Sequence, residues 1–447
     1  MGVVSGRRVF GLLAGLMAVV LGVLVAVGTG QEASGAGERA GERLEKVMAD
    51  PHPTRSVTPA AGAEWVGTWS AAPTGPEPGT EAGLPDQSLR NVVHTSVGGG
   101  SVRVELSNQY GGRPVRFTNV TVALSAGGGP GAVAGSMRRL TFGEGTSVLV
   151  PPGERVLSDP VRLEVAAGSD LLVTVYAPDP SGSVTYHRMA QQISYVAAGD
   201  AAGEESGAAF TGVAEVWRYV SSVQVLSPGA EGSVAVLGDS LTDGITSTVG
   251  ANRRWTDLLA ERLRTERDAP RLAVLNQGIS GNRLLLDGDL TRQYNGASGL
   301  RRLGLDVLRQ AGLRTVVLQL GINDITAAPQ QTDPAAIVAA MRQVTAEAHE
   351  AGLWVVGATL APFGGHHTYT PERERVRQLV NAEIRAGGVF DAVLDFDAAL
   401  RDPARPQSLL PLHDSGDGLH PSDAGYVAMA RAVSLRDLVP DTAEQAL

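Results

Sequence analysis

The chain has 447 residues, enough for two or three separately cored domains. Hydrophobic residues make up 43% and charged residues 19%, the balance of an ordinary globular protein and not of a disordered one. A net charge of −10 without Lys or Arg clusters argues against nucleic acid as a partner, and the lack of cysteine excludes disulfides, thiol nucleophiles and thiolate metal sites.

At the N-terminus, Arg7 and Arg8 precede an apolar run from Val9 to Val27, followed by the small residues Ala33-Ser-Gly-Ala36. Basic residues, apolar stretch and small-residue site in this order read as an export signal, hence a secreted protein. The run is also long enough to span a bilayer, so a retained anchor is the alternative reading of residues 1–36. No other part of the chain is expected to meet a membrane. Residues 37–62 mix Gly, Ala, Glu, Arg and Pro without sustained apolar periodicity and read as a linker, with one short helix around Glu42 to Met48.

From residue 63 to 228 the pattern is one of short alternating segments. Ser101-Val-Arg-Val-Glu-Leu-Ser107 alternates polar and apolar residues as a half-buried strand does. Pro160–Val165 and Asp170–Tyr176 behave alike, and Gly- and Pro-rich turns such as Gly98-Gly-Gly100 and Pro151-Pro-Gly153 separate them. Short strands at this spacing predict an antiparallel β-sandwich.

Between 229 and 440 the period changes. Apolar strand candidates, Val234–Leu237, Leu272–Leu275, Thr315–Leu320, Trp354–Thr359 and Ala392–Phe396, alternate with amphipathic helices. In Trp255–Leu263, residues Trp255, Leu258, Leu259 and Leu263 fall on one helical face. Pro334–Glu350 and Pro371–Arg385 begin with proline, which the first turn of a helix tolerates. This βαβ succession predicts an α/β domain: a parallel five-stranded sheet with helices on both faces. Residues 441–447 are a tail.

Four polar blocks follow these strands: Gly238-Asp-Ser240-Leu, Asn276-Gln-Gly-Ile-Ser-Gly281, Gly321-Ile-Asn323-Asp324 and Asp417-Gly-Leu-His420. Each alone has a bland reading, as a helix cap, a turn glycine, a loop turn or a helix boundary. Together they lie on the carboxyl side of the sheet, where open parallel sheets bind ligands. They supply a nucleophile (Ser240), a base (His420), a carboxylate to orient the base (Asp417) and hydrogen-bond donors. Those are the parts an ester hydrolase needs.

The blocks resemble those of the SGNH, or GDSL-type, hydrolases, and the resemblance covers about residues 232–436. It implies a flavodoxin-like three-layer α/β/α fold, Ser240 as nucleophile, His420 as base and Asp417 as its acid partner. It also implies an oxyanion hole made by the backbone N–H groups of Ser240 and Gly281 and the side-chain amide of Asn323. The preceding β-rich segment, opening Trp65-Val-Gly-Thr-Trp69, resembles that of secreted two-domain bacterial members, some of which are carbohydrate acetylesterases. The expected activity is hydrolysis of small acyl esters, such as acetyl groups on polysaccharide, through an acyl-enzyme with no metal and no organic cofactor.

The alternatives are a lipase or phospholipase-type acylhydrolase, and a carbohydrate-binding surface module with a vestigial hydrolase domain. Leu284-Leu-Leu-Asp-Gly-Asp-Leu290 offers an acyl wall or lid, or else core packing. His366-His367 reads as a polar loop or a cleft lining, with no zinc-ligand spacing nearby. Arg283 reads as a substrate contact or as one half of a rim ion pair. Trp65, Trp69 and Trp217 read as core, or as platforms for sugar rings.

Overall fold

The structure, a computed structural model, describes residues 64–289 and 291–440. The signal or anchor, the linker with its short helix, and the tail all lie outside the described residues. No helix among those described is long and apolar enough to cross a membrane.

Residues 64–227 form two large antiparallel sheets and two small ones, Trp217–Arg218 with Thr185–His187 and Gly75–Pro76, and Val115–Phe117 with Val148–Val150. One large sheet joins Glu64–Ser70, Val220–Ser227, Gly99–Ser107 and Val161–Val165 in that order, with Arg155–Leu157 also pairing Gly99–Ser107. The other orders Gly212–Ala214, Ser194–Ala198, Gln87–His94, Asp170–Ala177, Asn119–Leu124 and Arg138–Arg139. Alternate residues of both large sheets, among them Val102, Val104 and Leu106 from one and Leu171, Val173 and Val175 from the other, meet in one apolar core. The period-2 pattern requires this. Trp69 and Trp217 are buried in that core edge to face, ring centroids 4.9 Å apart. Trp65 is half-buried under the Arg103 guanidinium, 4.0 Å from its ring.

The second region is doubly wound. Its elements are β1 (Gly232–Gly238), α1 (Ser240–Asp243), α2 (Trp255–Thr265), β2 (Leu272–Gly278), β3 (Leu313–Gln319) and α3 (Ile322–Thr326). There follow α4 (Pro334–Glu350), β4 (Trp354–Ala358), α5 (Pro371–Ala386), β5 (Ala392–Leu394), α6 (Phe396–Leu400) and α7 (Asp423–Ala432). The sheet is parallel in the order β2-β1-β3-β4-β5. Val234 and Val236 of β1 face Trp255, Leu259, Phe396 and Tyr426 of α2, α6 and α7. Ala235 and Leu237 face Ile337, Met341, Val344 and Val380 of α4 and α5. Two helical layers thus enclose the sheet, which is the flavodoxin-like three-layer arrangement.

The fifth strand is shorter than its apolar run suggests. Asp395 caps α6 by accepting the Ala398 N–H at 3.1 Å, so Phe396 belongs to a helix and not to the strand.

Polar contacts join the sandwich to the edge strand β2 and to the turn before β3. Gln277 Nε2 donates to Ser70 Oγ at 2.7 Å, the Val274 N–H to Ser96 Oγ at 3.1 Å and the Gly67 N–H to the Ala311 carbonyl at 2.9 Å.

Candidate active site

The chain leaves β1 for β2 on one side and then returns past β1 to place β3 on the other. The strand order therefore reverses between β1 and β3, and a crevice opens above their carboxyl ends. Ser240, the block ending at Gly281, and Asn323 follow β1, β2 and β3 respectively, so all three line this switch point. His420 arrives on the loop before α7.

Ser240 is the first residue of α1, which Asp239 caps by accepting the Leu241 N–H at 3.1 Å. Asp239 is buried, and that burial pushes its carboxyl up to about 7 against the weaker opposing effect of the Leu241 hydrogen bond. Ser240 Oγ lies 2.9 Å from His420 Nε2, and His420 Nδ1 lies 2.6 Å from Asp417 Oδ2. The other Asp417 oxygen accepts the backbone N–H groups of Leu419 and His420 at 2.9 and 2.8 Å. Burial acts to raise the Asp417 pKa, but the hydrogen bond from His420 and these two N–H groups outweigh it and hold the carboxyl well below its ordinary value. Asp417 is thus an anion fixed at three points, and it orients the imidazole through Nδ1.

The second block is shaped by glycine. A Cβ on Gly278 would lie 2.3 Å from the Asp243 nitrogen, so only glycine lets α1 pack against the end of β2. Gly281 has φ +77°, and a Cβ there would lie 2.7 Å from Asn295 Oδ1. Asn323 donates one Nδ2 hydrogen to the Asn282 carbonyl at 3.1 Å, which orients the amide and leaves its second hydrogen uncommitted. Asp324 accepts the Leu284 and Leu285 N–H groups at 2.7 and 2.9 Å, so α3 is pinned to the loop carrying Gly281. Among the described residues, neither the Ser240 nor the Gly281 N–H donates to a protein acceptor.

Several residues outside the four motifs hold this arrangement. Arg302 is buried and donates to the Gly238 and Gln277 carbonyls at 2.8 and 2.7 Å, clamping β1 and β2 just before their functional turns. Asp243 Oδ2 accepts the Ser280 N–H at 2.9 Å and its hydroxyl at 2.5 Å. Of these, only Asp243 has a signal in sequence, as an acid just after the serine in the same turn. Arg302 ends the short helix Gly299–Arg302 next to Arg301, and the sequence does not distinguish the two.

The remaining candidates are placed as follows. Arg283 is buried and forms no ion pair among the described residues. It donates to the Ala328 and Asp287 carbonyls at 3.3 and 2.9 Å, bracing the loop of the second block. Leu284 is fully buried in the core, Leu285 is half-buried against it, and Leu286 is exposed. The His366 and His367 rings lie 4.1 Å apart on a loop packed against Gly418. Burial, then His367, lowers the His366 pKa, and the charges of Asp417 and His420 also reach it. No cluster of three or more potential metal ligands occurs among the described residues.

Ser240, His420 and Asp417 are thus in sequential contact at the carboxyl edge of a doubly wound sheet. Residues 236–428 match the model of the GDSL-like lipase/acylhydrolase family. The α/β region is therefore a domain of that family, an ester hydrolase by class. Comparison with curated proteins finds no match. Among solved structures, the chain is similar to an acetylxylan esterase from Geobacillus stearothermophilus (22% identity, 48% of this chain and 96% of that one, TM-score 0.35). It is also similar to a GDSL-like lipase from Bacteroides thetaiotaomicron (18% identity, 48% and 90%, TM-score 0.35). A third is a carbohydrate acetylesterase from Sinorhizobium meliloti (18% identity, 45% and 95%, TM-score 0.36).

Proposed function

We propose that the protein is an exported serine hydrolase that removes small acyl groups, acetyl foremost, from esters of polyhydroxylated substrates such as polysaccharide. The observation that carries the catalytic reading is the unbroken relay from Ser240 Oγ through His420 to Asp417, with contacts of 2.9 and 2.6 Å. Export rests on the Arg7-Arg8 pair ahead of the apolar run Val9–Val27.

In the first half-reaction, His420 Nε2 takes the Ser240 hydroxyl proton as Oγ attacks the ester carbonyl carbon. The carbonyl π pair moves to oxygen, and three donors receive the resulting oxyanion: the Ser240 and Gly281 N–H groups and the uncommitted hydrogen of Asn323. Asp417, held ionised, stabilises the imidazolium through Nδ1. Collapse of the tetrahedral intermediate breaks the bond to the alcohol oxygen, which leaves with the proton from His420. Water then repeats the sequence on the acyl-enzyme, releasing the carboxylic acid and restoring Ser240.

The preference for a short acyl group draws on the leucine run. Leu284 is spent on the core and Leu286 is exposed, so these leucines do not build a continuous wall for a fatty chain. Asn295 flanks Gly281, and His366 lies on the loop against Gly418 within reach of the Asp417 and His420 charges, polar neighbours that suit a hydroxylated alcohol.

The test is hydrolysis of p-nitrophenyl esters from acetate to palmitate by the purified protein and by Ser240→Ala. Activity that is highest on acetate or butyrate and lost in the variant supports the proposal, and acetylated xylan is then the substrate to try. Ser240-dependent activity that peaks on long chains replaces it with a lipid acylhydrolase.

A further inference from the structure

We infer that His187, a side chain of the β-sandwich, is a positioning residue for the oxyanion donors and acts on them through Asp243. The inference rests on the catalytic reading above. It makes the sandwich a working part of the active site and not only its neighbour.

His187 ends the short strand Thr185–His187 and is 4% exposed. Its Nδ1 lies 2.7 Å from the Ala72 carbonyl oxygen. A carbonyl only accepts, so Nδ1 carries a hydrogen. Nε2 lies 3.0 Å from Asp243 Oδ1, within hydrogen-bond distance. Trp217 packs against the imidazole at a centroid distance of 5.3 Å, closing the ring in from the sandwich side. The ring is thus fixed at both nitrogens and on one face.

Asp243 is equally buried and stands at the junction of two functional segments. It closes α1, the turn that Ser240 opens, and its second oxygen holds both polar hydrogens of Ser280, the residue before Gly281. One carboxylate therefore sets the distance between the serine and the glycine whose N–H groups receive the oxyanion. A carboxylate buried this deeply is costly unless its charge and lone pairs are met. His187 meets the oxygen that Ser280 does not, and so holds the carboxylate plane that faces the oxyanion loop. Arg254 braces the same junction from the side. Its Nε donates to the Asp243 carbonyl at 3.0 Å, and its guanidinium also bonds the Ala190 carbonyl, three residues beyond His187. A pair that merely filled the boundary between the two regions would need no tie to Ser280.

The experiment compares His187→Ala, Asp243→Asn, the double variant and Ser280→Ala with the full chain and with Ser240→Ala. Thermal melts check folding, and kcat and KM are measured separately on p-nitrophenyl acetate. Donors displaced by a fraction of an ångström weaken the transition state more than substrate binding. His187→Ala is expected to lower kcat about 10- to 100-fold with KM changed less than about threefold. The double variant should be no slower than Asp243→Asn, because the two residues act in series. Ser280→Ala, which touches only the last link, should lower kcat several-fold at constant KM. A folded His187→Ala with wild-type kcat overturns the inference while Ser240→Ala remains inactive. If His187→Ala does not fold, an unchanged kcat in Ser280→Ala overturns it. Full activity in Ser240→Ala would instead remove the catalytic reading beneath it.

Discussion

Replacing Asn323 by Ala tests the oxyanion assignment at its most separable point, because here the donor is a side chain and not backbone. One Nδ2 hydrogen is committed to the Asn282 carbonyl at 3.1 Å, so the variant loses that bond as well as the free hydrogen. The first loss concerns stability and is worth about 1 kcal/mol, the net value of an ordinary hydrogen bond. The second concerns the transition state. Removing one of three preorganised donors costs about 10²–10³ in kcat, or about 3–4 kcal/mol. Because the oxyanion exists only after attack, the loss should fall on kcat and leave KM nearly unchanged. Asp324 keeps α3 anchored through the Leu284 and Leu285 N–H groups, so the neighbouring geometry should survive. Steady-state kinetics on p-nitrophenyl acetate, with a thermal melt on the same preparation, reads both terms. A folded variant whose kcat is within about threefold of wild type refutes the assignment.

Two further outcomes follow from the same geometry. Gly281→Ala forces a side chain into φ +77° and against Asn295 Oδ1, so we expect a lower melting temperature and a kcat reduced by about tenfold or more; wild-type kcat would show that this backbone position does not matter to turnover. Asp239 titrates at about 7 in the fold, against about 4 in an unfolded chain, because burial favours its neutral form. The stability this contributes is fully present below about pH 4 and is lost as the pH climbs through about 7. Asp239→Asn keeps a neutral cap at every pH, so its stability relative to wild type should improve by about 3 kcal/mol between about pH 5 and 8. Urea unfolding at the two pH values measures this, and a difference independent of pH would contradict the burial argument.

What can be read from sequence follows from where the physics is local. The sheet strands are apolar runs because they are buried on both faces, and α4 begins at Pro334 and ends at Glu350 where its proline start and apolar period place it. The meeting of Ser240, His420 and Asp417 is legible for the same reason: Asp417 and His420 share one loop, and Ser240 follows a strand whose end must face the crevice. Strand Gln87–His94 escapes a sequence reading because buried Arg90 and Asn91 interrupt its apolar pattern. Arg90 is satisfied by Thr174 Oγ1 and by the Pro130 and Glu204 carbonyls, all remote in the chain. His187 is unreadable on the same grounds, since its partner lies 56 residues away beside another sheet. Side chains that owe their place to distant partners leave no local period.

The most direct test of the central claim is chemical. The protein is treated with a fluorophosphonate, digested, and the modified residue is located by mass spectrometry. An activated serine, with its proton taken by His420 and its developing charge received by the donors, should give one adduct on the peptide bearing Ser240, and Ser240→Ala should give none. A folded protein that remains unlabelled at Ser240, or that labels equally in the variant, would contradict the account.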